Sequence, residues 1–251
     1  MKTDEPSVPM YSGEKQLQRF LFWSCVVVIV LHAYGSFFPV ATTWGFHHLG
    51  FFPQAVSLVA LLLMVFCLTK AGQAFIVTIL ERISTITSRP ALSTAMFSLL
   101  LVFCAALFWF GRERIFFLGD GNLIVRTLPN ISVLKEVAIA YRNEPFAGWL
   151  VWKLYHLLTL LELPSAAERS FQILSIFFGL ASVAALVQLL RQFTNAQFER
   201  IAAGLLILGS GTTQLFFGYV ELYAPAIFGV LLYFVMALRF LKGKTPLLYP
   251  A

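Results

Sequence analysis

Charged side chains are scarce in this sequence. They make up 12% of its 251 residues, about half the share of roughly 25% typical of soluble domains. Hydrophobic residues reach 59% and the mean hydropathy is +0.81. A water-soluble globule of this length would leave much of that apolar surface wet, so the composition argues for lipid as the covering solvent. Cysteine is nearly missing as well. Cys25, Cys67 and Cys104 all lie inside apolar runs, where they act as small hydrophobes, and this excludes a disulfide framework and a thiolate metal cluster. There is no Walker loop, dinucleotide fingerprint or metalloprotease motif. The formal charge of +6 comes from Lys and Arg in small groups between apolar runs. Without a basic stripe, nucleic acid is not an expected partner.

What is present is a series of long apolar runs. Their spacing predicts an all-α polytopic membrane protein with about six transmembrane helices, near 20–38, 51–68, 91–110, 171–190, 201–217 and 222–241. Residues 1–19 read as a polar cytoplasmic tail. Residues 20–90 read as a two-span hairpin with a cytoplasmic linker, and 91–251 as a core of one span, a long loop over 111–169 and three further spans. The second half of that loop, EPFAGWLVWKLYHLLTLLELP, mixes aromatics with Lys153, His156 and Glu162. It suits helices lying in the membrane interface. The small residues between Gly204 and Thr213 predict either close span packing or a break in the helix.

Orientation follows from loop charge. Lys15 and Arg19, then Lys70, Arg82 and Arg89, then Arg191 and Arg200, then Arg239, Lys242 and Lys244 fall on alternate sides of successive spans. The positive-inside tendency places all four groups in the cytoplasm. The loop 111–169 and Glu221 then share the outer face. With no eukaryotic targeting signal, the expected site is the inner (plasma) membrane of a cell envelope. The segment KGKTPLLYPA directly follows a span, and the chain is expected to be the N-terminal part of a longer protein.

Chemistry is expected around RERIFFLGDGNLIVR, residues 112–126. Asp120 sits between two glycines just beyond a span. FLGDGN has the form of a tight turn, but a carboxylate at the membrane surface can also act as a general base on an acceptor hydroxyl. Arg112, Arg114 and Arg126 flank it, and guanidinium groups bind phosphate oxygens through paired hydrogen bonds. Glu221 lies in a short turn between two spans, with Tyr219 and Tyr223 around it at a period-two or helix-start spacing, and Pro225 beside them fits the first turn of a span. Asn143-Glu144-Pro145 reads as a helix start, with Asn as the cap and Pro in the first turn.

A span ending near an outer acidic residue, a long loop with interfacial helices, and a short polar turn before a later span together resemble the GT-C glycosyltransferases. These membrane enzymes use polyprenyl-phosphate sugars, as the protein O-mannosyltransferases and lipid A aminoarabinose transferases do. The resemblance covers roughly residues 92–241. It implies sugar transfer from a polyprenyl-phosphate donor on the outer face, with Asp120 and Glu221 catalytic. It further implies Arg112, Arg114, Arg126, Glu144 and Tyr223 as substrate-binding residues. The acidic site is Asp-Gly where the family has paired Asp-Glu, so no cofactor is expected and a divalent metal is not indicated. Two other classes make different predictions. A transporter or flippase for a lipid-linked or small polar solute would place ionisable groups deep in its spans, where only His32 is found. A non-catalytic scaffold subunit would hold Asp120 and Glu221 more than about 20 Å apart, too far for one ligand pocket.

Overall fold

The computed structural model describes residues 12–38, 48–51, 53–87, 90–112 and 121–243. Among them all regular structure is helical, with no strand. The α-helices are α1 (Ser12–Phe37), α2 (Gln54–Leu68), α3 (Lys70–Thr87), α4 (Pro90–Phe110), α5 (Gly121–Thr127), α6 (Leu134–Ala140), α7 (Pro145–Leu160), α8 (Ala166–Phe193), α9 (Gln197–Leu208) and α10 (Tyr223–Leu241). Short 3-10 turns cover His48–Phe51, Leu128–Asn130 and Gly211–Phe216. The chain divides into two compact units, one up to Ile79 and the other from Leu80 onward.

Four helices are long and apolar enough to cross a membrane: Lys15–Phe37, Ser93–Phe110, Ala166–Phe193 and Tyr223–Leu241. A fifth crossing is reached if α2 and α3 count as one span. Multi-pass character therefore follows from length and composition, with four to five crossings among the described residues where the sequence predicts six. Two of the expected spans differ. α2 has 15 residues, about 22 Å of helix against a hydrocarbon core of about 30 Å, and it meets α3 at an 86° bend. The run 201–217 is divided, because α9 stops at Leu208 after 12 residues and Gly209-Ser210-Gly211 leads into the 3-10 turn. Of the two outcomes those small residues permit, the break is the one found. Helix α1 also begins earlier than expected, at Ser12, because EKQLQR consists of good helix formers.

In the first unit, α1 packs on α2 and on the 3-10 turn before it. Ser57 Oγ donates to the Leu49 carbonyl at 2.5 Å, tying that turn to the start of α2. In the second unit α8 is the hub. Of its apolar window 56% is buried inside the protein, against 17% for α10 and 11% for α4, so the latter two present most of their surface outward. Two apolar clusters surround α8. Near its start, Phe171 and Leu174 pack with Leu128, Val137, Tyr141, Val151, Val220 and Leu222. Further along, Ile176 and Val183 pack with Cys104 and Phe108 of α4, Phe216 and Ala224. Gly179 permits the second cluster, since a Cβ there would come within 2.6 Å of the Phe216 Cβ. Ser175 Oγ donates to the Leu215 carbonyl at 2.5 Å and fixes the 3-10 turn to α8.

Candidate functional site

The start of α8, the end of α4, the small helices α5–α7 and the entry to α10 converge at one end of the second unit. Local chemistry sets each piece. Glu136 accepts from the backbone N–H groups of Ser132 at 2.7 Å and Val133 at 3.3 Å, satisfying donors that a helix start leaves open. Helix α7 buries Ala147, Gly148, Val151 and Leu158, which share one helical face. Trp152 Nε1 donates to the Ile131 carbonyl at 3.1 Å and ties α7 to the segment before α6. From Gly218 to Tyr223 the side chains alternate. Val220 and Leu222 are 2% and 4% exposed, while Tyr219 and Glu221 are half-buried and Tyr223 is exposed. The two-residue spacing thus sends the apolar residues to the core and the polar ones outward.

That alternation places Glu221 in a cleft of about 250 Å³. Glu144 and Tyr223 line it too, with Arg142, Tyr141 and Thr127. Three of the seven residues expected from sequence therefore meet, although they come from two distant stretches of chain. Glu144, not Asn143, occupies the N-cap position of α7, with Pro145 first in the helix and no side-chain cap bond. Pro145 suits that place because it has no N–H to lose. Helix α10 starts at Tyr223 on the same cleft. The positive ends of two helix dipoles therefore border the cavity beside the Arg142 guanidinium. Tyr141 Oη donates to the Ile124 carbonyl at 3.4 Å, and burial pushes the phenol up to about 12.

A second cleft in this unit has a volume of about 360 Å³. It is lined by Arg112, Ser165, Glu168, Arg169 and Gln172. Arg112 Nη1 donates to the Trp109 carbonyl at 2.7 Å, and the guanidinium lies 4.6 Å from the centroid of the Trp109 ring. Gln172, 3% exposed, donates from Nε2 to Glu168 Oε1 at 2.7 Å. Gly218 packs against two residues of this cleft. Its φ is +65°, and a Cβ there would stand 3.1 Å from the Arg112 Cβ and 3.3 Å from the Gln172 Cγ.

Arg126 is exposed in the last turn of α5 and lines neither cleft. Asp120 and Arg114 lie outside the described residues. Gly121, bonded directly to Asp120, is buried at the start of α5, and Leu123 and Thr127 of that helix form one wall of the Glu144–Glu221 cleft. Arg142, Glu168, Arg169 and Gln172 were not anticipated. The signal for Glu168 and Gln172 was their four-residue spacing, hidden because the span was expected to begin at Phe171 and α8 begins at Ala166. Among the described residues, no three of His, Cys, Asp and Glu gather into a metal-ligand group. No protein-family model, curated protein or solved structure matches the chain.

Proposed function

We propose that this protein is a membrane glycosyltransferase of GT-C type, moving a sugar from a polyprenyl-phosphate donor to an acceptor hydroxyl on the outer face. The observation that supports the reading is the meeting of Glu144, Glu221 and Tyr223 in one polar cleft, with a second cleft in the same unit carrying Arg112 and Arg169. Carboxylates suit sugar hydroxyls, and a pair of guanidinium groups suits a phosphate. In this reading Asp120, immediately before α5, takes the acceptor proton. The freed oxygen attacks the anomeric carbon, the bond from that carbon to the phosphate oxygen breaks, and the polyprenyl phosphate departs as an anion held by Arg112 and Arg169. Glu221 and Glu144 orient sugar or acceptor hydroxyls, with Tyr223 at the cleft's edge.

The test uses membranes containing the full chain and radiolabelled polyprenyl-phosphate sugars. Asp120→Asn is expected to abolish transfer at normal expression, by at least the roughly hundredfold typical of a lost acid–base group, and Glu221→Gln to lower it by weakening the hold on sugar or acceptor hydroxyls. Binding of a short-chain polyprenyl monophosphate to the purified protein should fall in Arg112→Ala and Arg169→Ala. Transfer that survives both carboxylate changes would overturn the assignment.

A further inference from the structure

A third cavity of the second unit shares no lining residue with these clefts. It has a volume of about 700 Å³ and runs between α4, α8 and α9, within the range of small-molecule sites. Its walls are aliphatic and aromatic, with Phe97, Leu186 and Leu190 among them, and its polar residues include Arg191, Asn195 and Arg200. Among the described residues, no Asp or Glu lines it. The nearest acidic side chain in sequence, Glu199, is exposed and accepts from Thr194 Oγ1 at 2.5 Å. Arg191 lies in the last turn of α8 and Arg169 in its first turns. At 1.5 Å per residue the two are about 33 Å apart, close to the thickness of a bilayer's hydrocarbon core.

We infer that this groove binds an anionic glycerophospholipid, with an acyl chain along the aliphatic walls and the phosphate at Arg191 and Arg200. Three features favour that occupant. Helix α4, one wall of the groove, is long and apolar enough to cross a membrane and has only 11% of its apolar window buried inside the protein, so lipid is its surrounding solvent. The groove's basic end lies one hydrocarbon thickness from the other end of α8, at the level of a head group. And Arg200 is already held in place, its Nε donating to the Thr194 carbonyl at 2.8 Å and its Nη1 to Gln197 Oε1 at 3.3 Å, which lowers the cost of ordering it around an anion. The inference does not depend on sugar transfer.

The experiment compares retention of phosphatidylglycerol and phosphatidylcholine by the purified full chain from equimolar mixed micelles, read by native mass spectrometry. Wild type is expected to prefer phosphatidylglycerol by about tenfold, the scale of one charge-assisted contact. Arg191→Gln/Arg200→Gln should remove the preference. Gly204→Leu should reduce retention of both lipids, because the added side chain enters the groove at a position where a Cβ meets Leu190 Cδ1 at 3.2 Å. The exposed Arg191→Gln alone should weaken the preference without disturbing the fold. Arg239→Gln/Lys242→Gln, at the same end of the bundle but outside the groove, should leave it intact. Equal retention of the two lipids by wild type, a preference that survives loss of both groove arginines, or one abolished equally by the Arg239 and Lys242 changes would overturn the inference. So would a second copy of the chain filling the groove in place of lipid.

Discussion

Tyr141 rests directly on the bare backbone of Gly148. A Cβ at Gly148 would lie 2.5 Å from the Tyr141 Cβ and 2.7 Å from its Cγ, so the ring and α7 approach as closely as they do only because residue 148 has no side chain. Tyr141 is 5% exposed and forms a wall of the Glu144–Glu221 cleft.

Gly148→Ala should therefore push Tyr141 off α7. Overpacking of this kind costs about 1–3 kcal/mol, against which the better helix propensity of Ala returns at most about 1 kcal/mol. Thermal unfolding in detergent should show a Tm several degrees below wild type. An unchanged or raised Tm would mean that α7 is not seated on Tyr141.

The same tyrosine makes a pH prediction. Burial raises its phenol from the ordinary 10.0 to about 12. In the unfolded chain it ionises near 10, so between pH 10 and 12 the unfolded state binds fewer protons than the folded one. The stability from keeping this phenol neutral is fully present below pH 10 and is lost as pH rises through about 12. Other tyrosines and lysines titrate nearby, so the informative quantity is a difference. Tyr141→Phe should lose less stability than wild type between pH 10 and 12, and parallel curves would show that Tyr141 is not buried in solution.

Gly218→Ala should damage the Arg112 cleft. The φ of +65° costs a non-glycine residue about 1–2 kcal/mol, and the new methyl would press on Arg112 and Gln172. Binding of a short-chain polyprenyl monophosphate should weaken together with stability, whereas Gly229→Ala, where a Cβ meets nothing within 4 Å, should leave both unchanged.

Much of this was legible in the sequence because it depends on one-dimensional pattern. The runs 91–110, 171–190 and 222–241 correspond to helices that pass as spans, since twenty apolar residues in lipid leave the backbone little choice but helix. The spacing of Tyr219, Glu221 and Tyr223 left period-two alternation and a helix start both open, and the structure has both, alternation through Leu222 and α10 from Tyr223. Run length alone misled at 201–217, where hydropathy continues through Gly209 and Gly211 but helical hydrogen bonding does not. The end of the second run at Leu68 was legible, and α2 stops there, but the 86° bend into α3 was not, because a bend is set by one or two residues while hydropathy averages over many. That Arg112 and Arg169 line one cleft, and Arg142 and Glu221 another, depends on tertiary packing, and no local pattern encodes it.

The bend at Thr69 decides whether α2 and α3 make one crossing or a broken one, and two residues hold it. Thr69 Oγ1 donates to the Phe66 carbonyl at 2.7 Å and accepts from Gly72 N–H at 3.0 Å, so it closes one helix and caps the next. Gly72 lets the segments fold back, because a Cβ there would stand 2.0 Å from the Phe66 oxygen, a backbone atom with no freedom to yield. Gly72→Ala must therefore open the angle, while Thr69→Ala should only loosen it, at about 0.5–2 kcal/mol for a lost cap. Spin labels at Leu62→Cys and Ile79→Cys, with Cys25, Cys67 and Cys104 changed to Ser, report the result. At 1.5 Å per residue, legs of roughly 10 and 15 Å meeting near a right angle put the backbones about 18 Å apart, and a continuous helix puts them about 26 Å apart. Wild type should give the short distance, Gly72→Ala a distance shifted toward the long one, and Thr69→Ala a broadened distribution centred on the short one. A long distance in wild type would make α2 and α3 a single straight span.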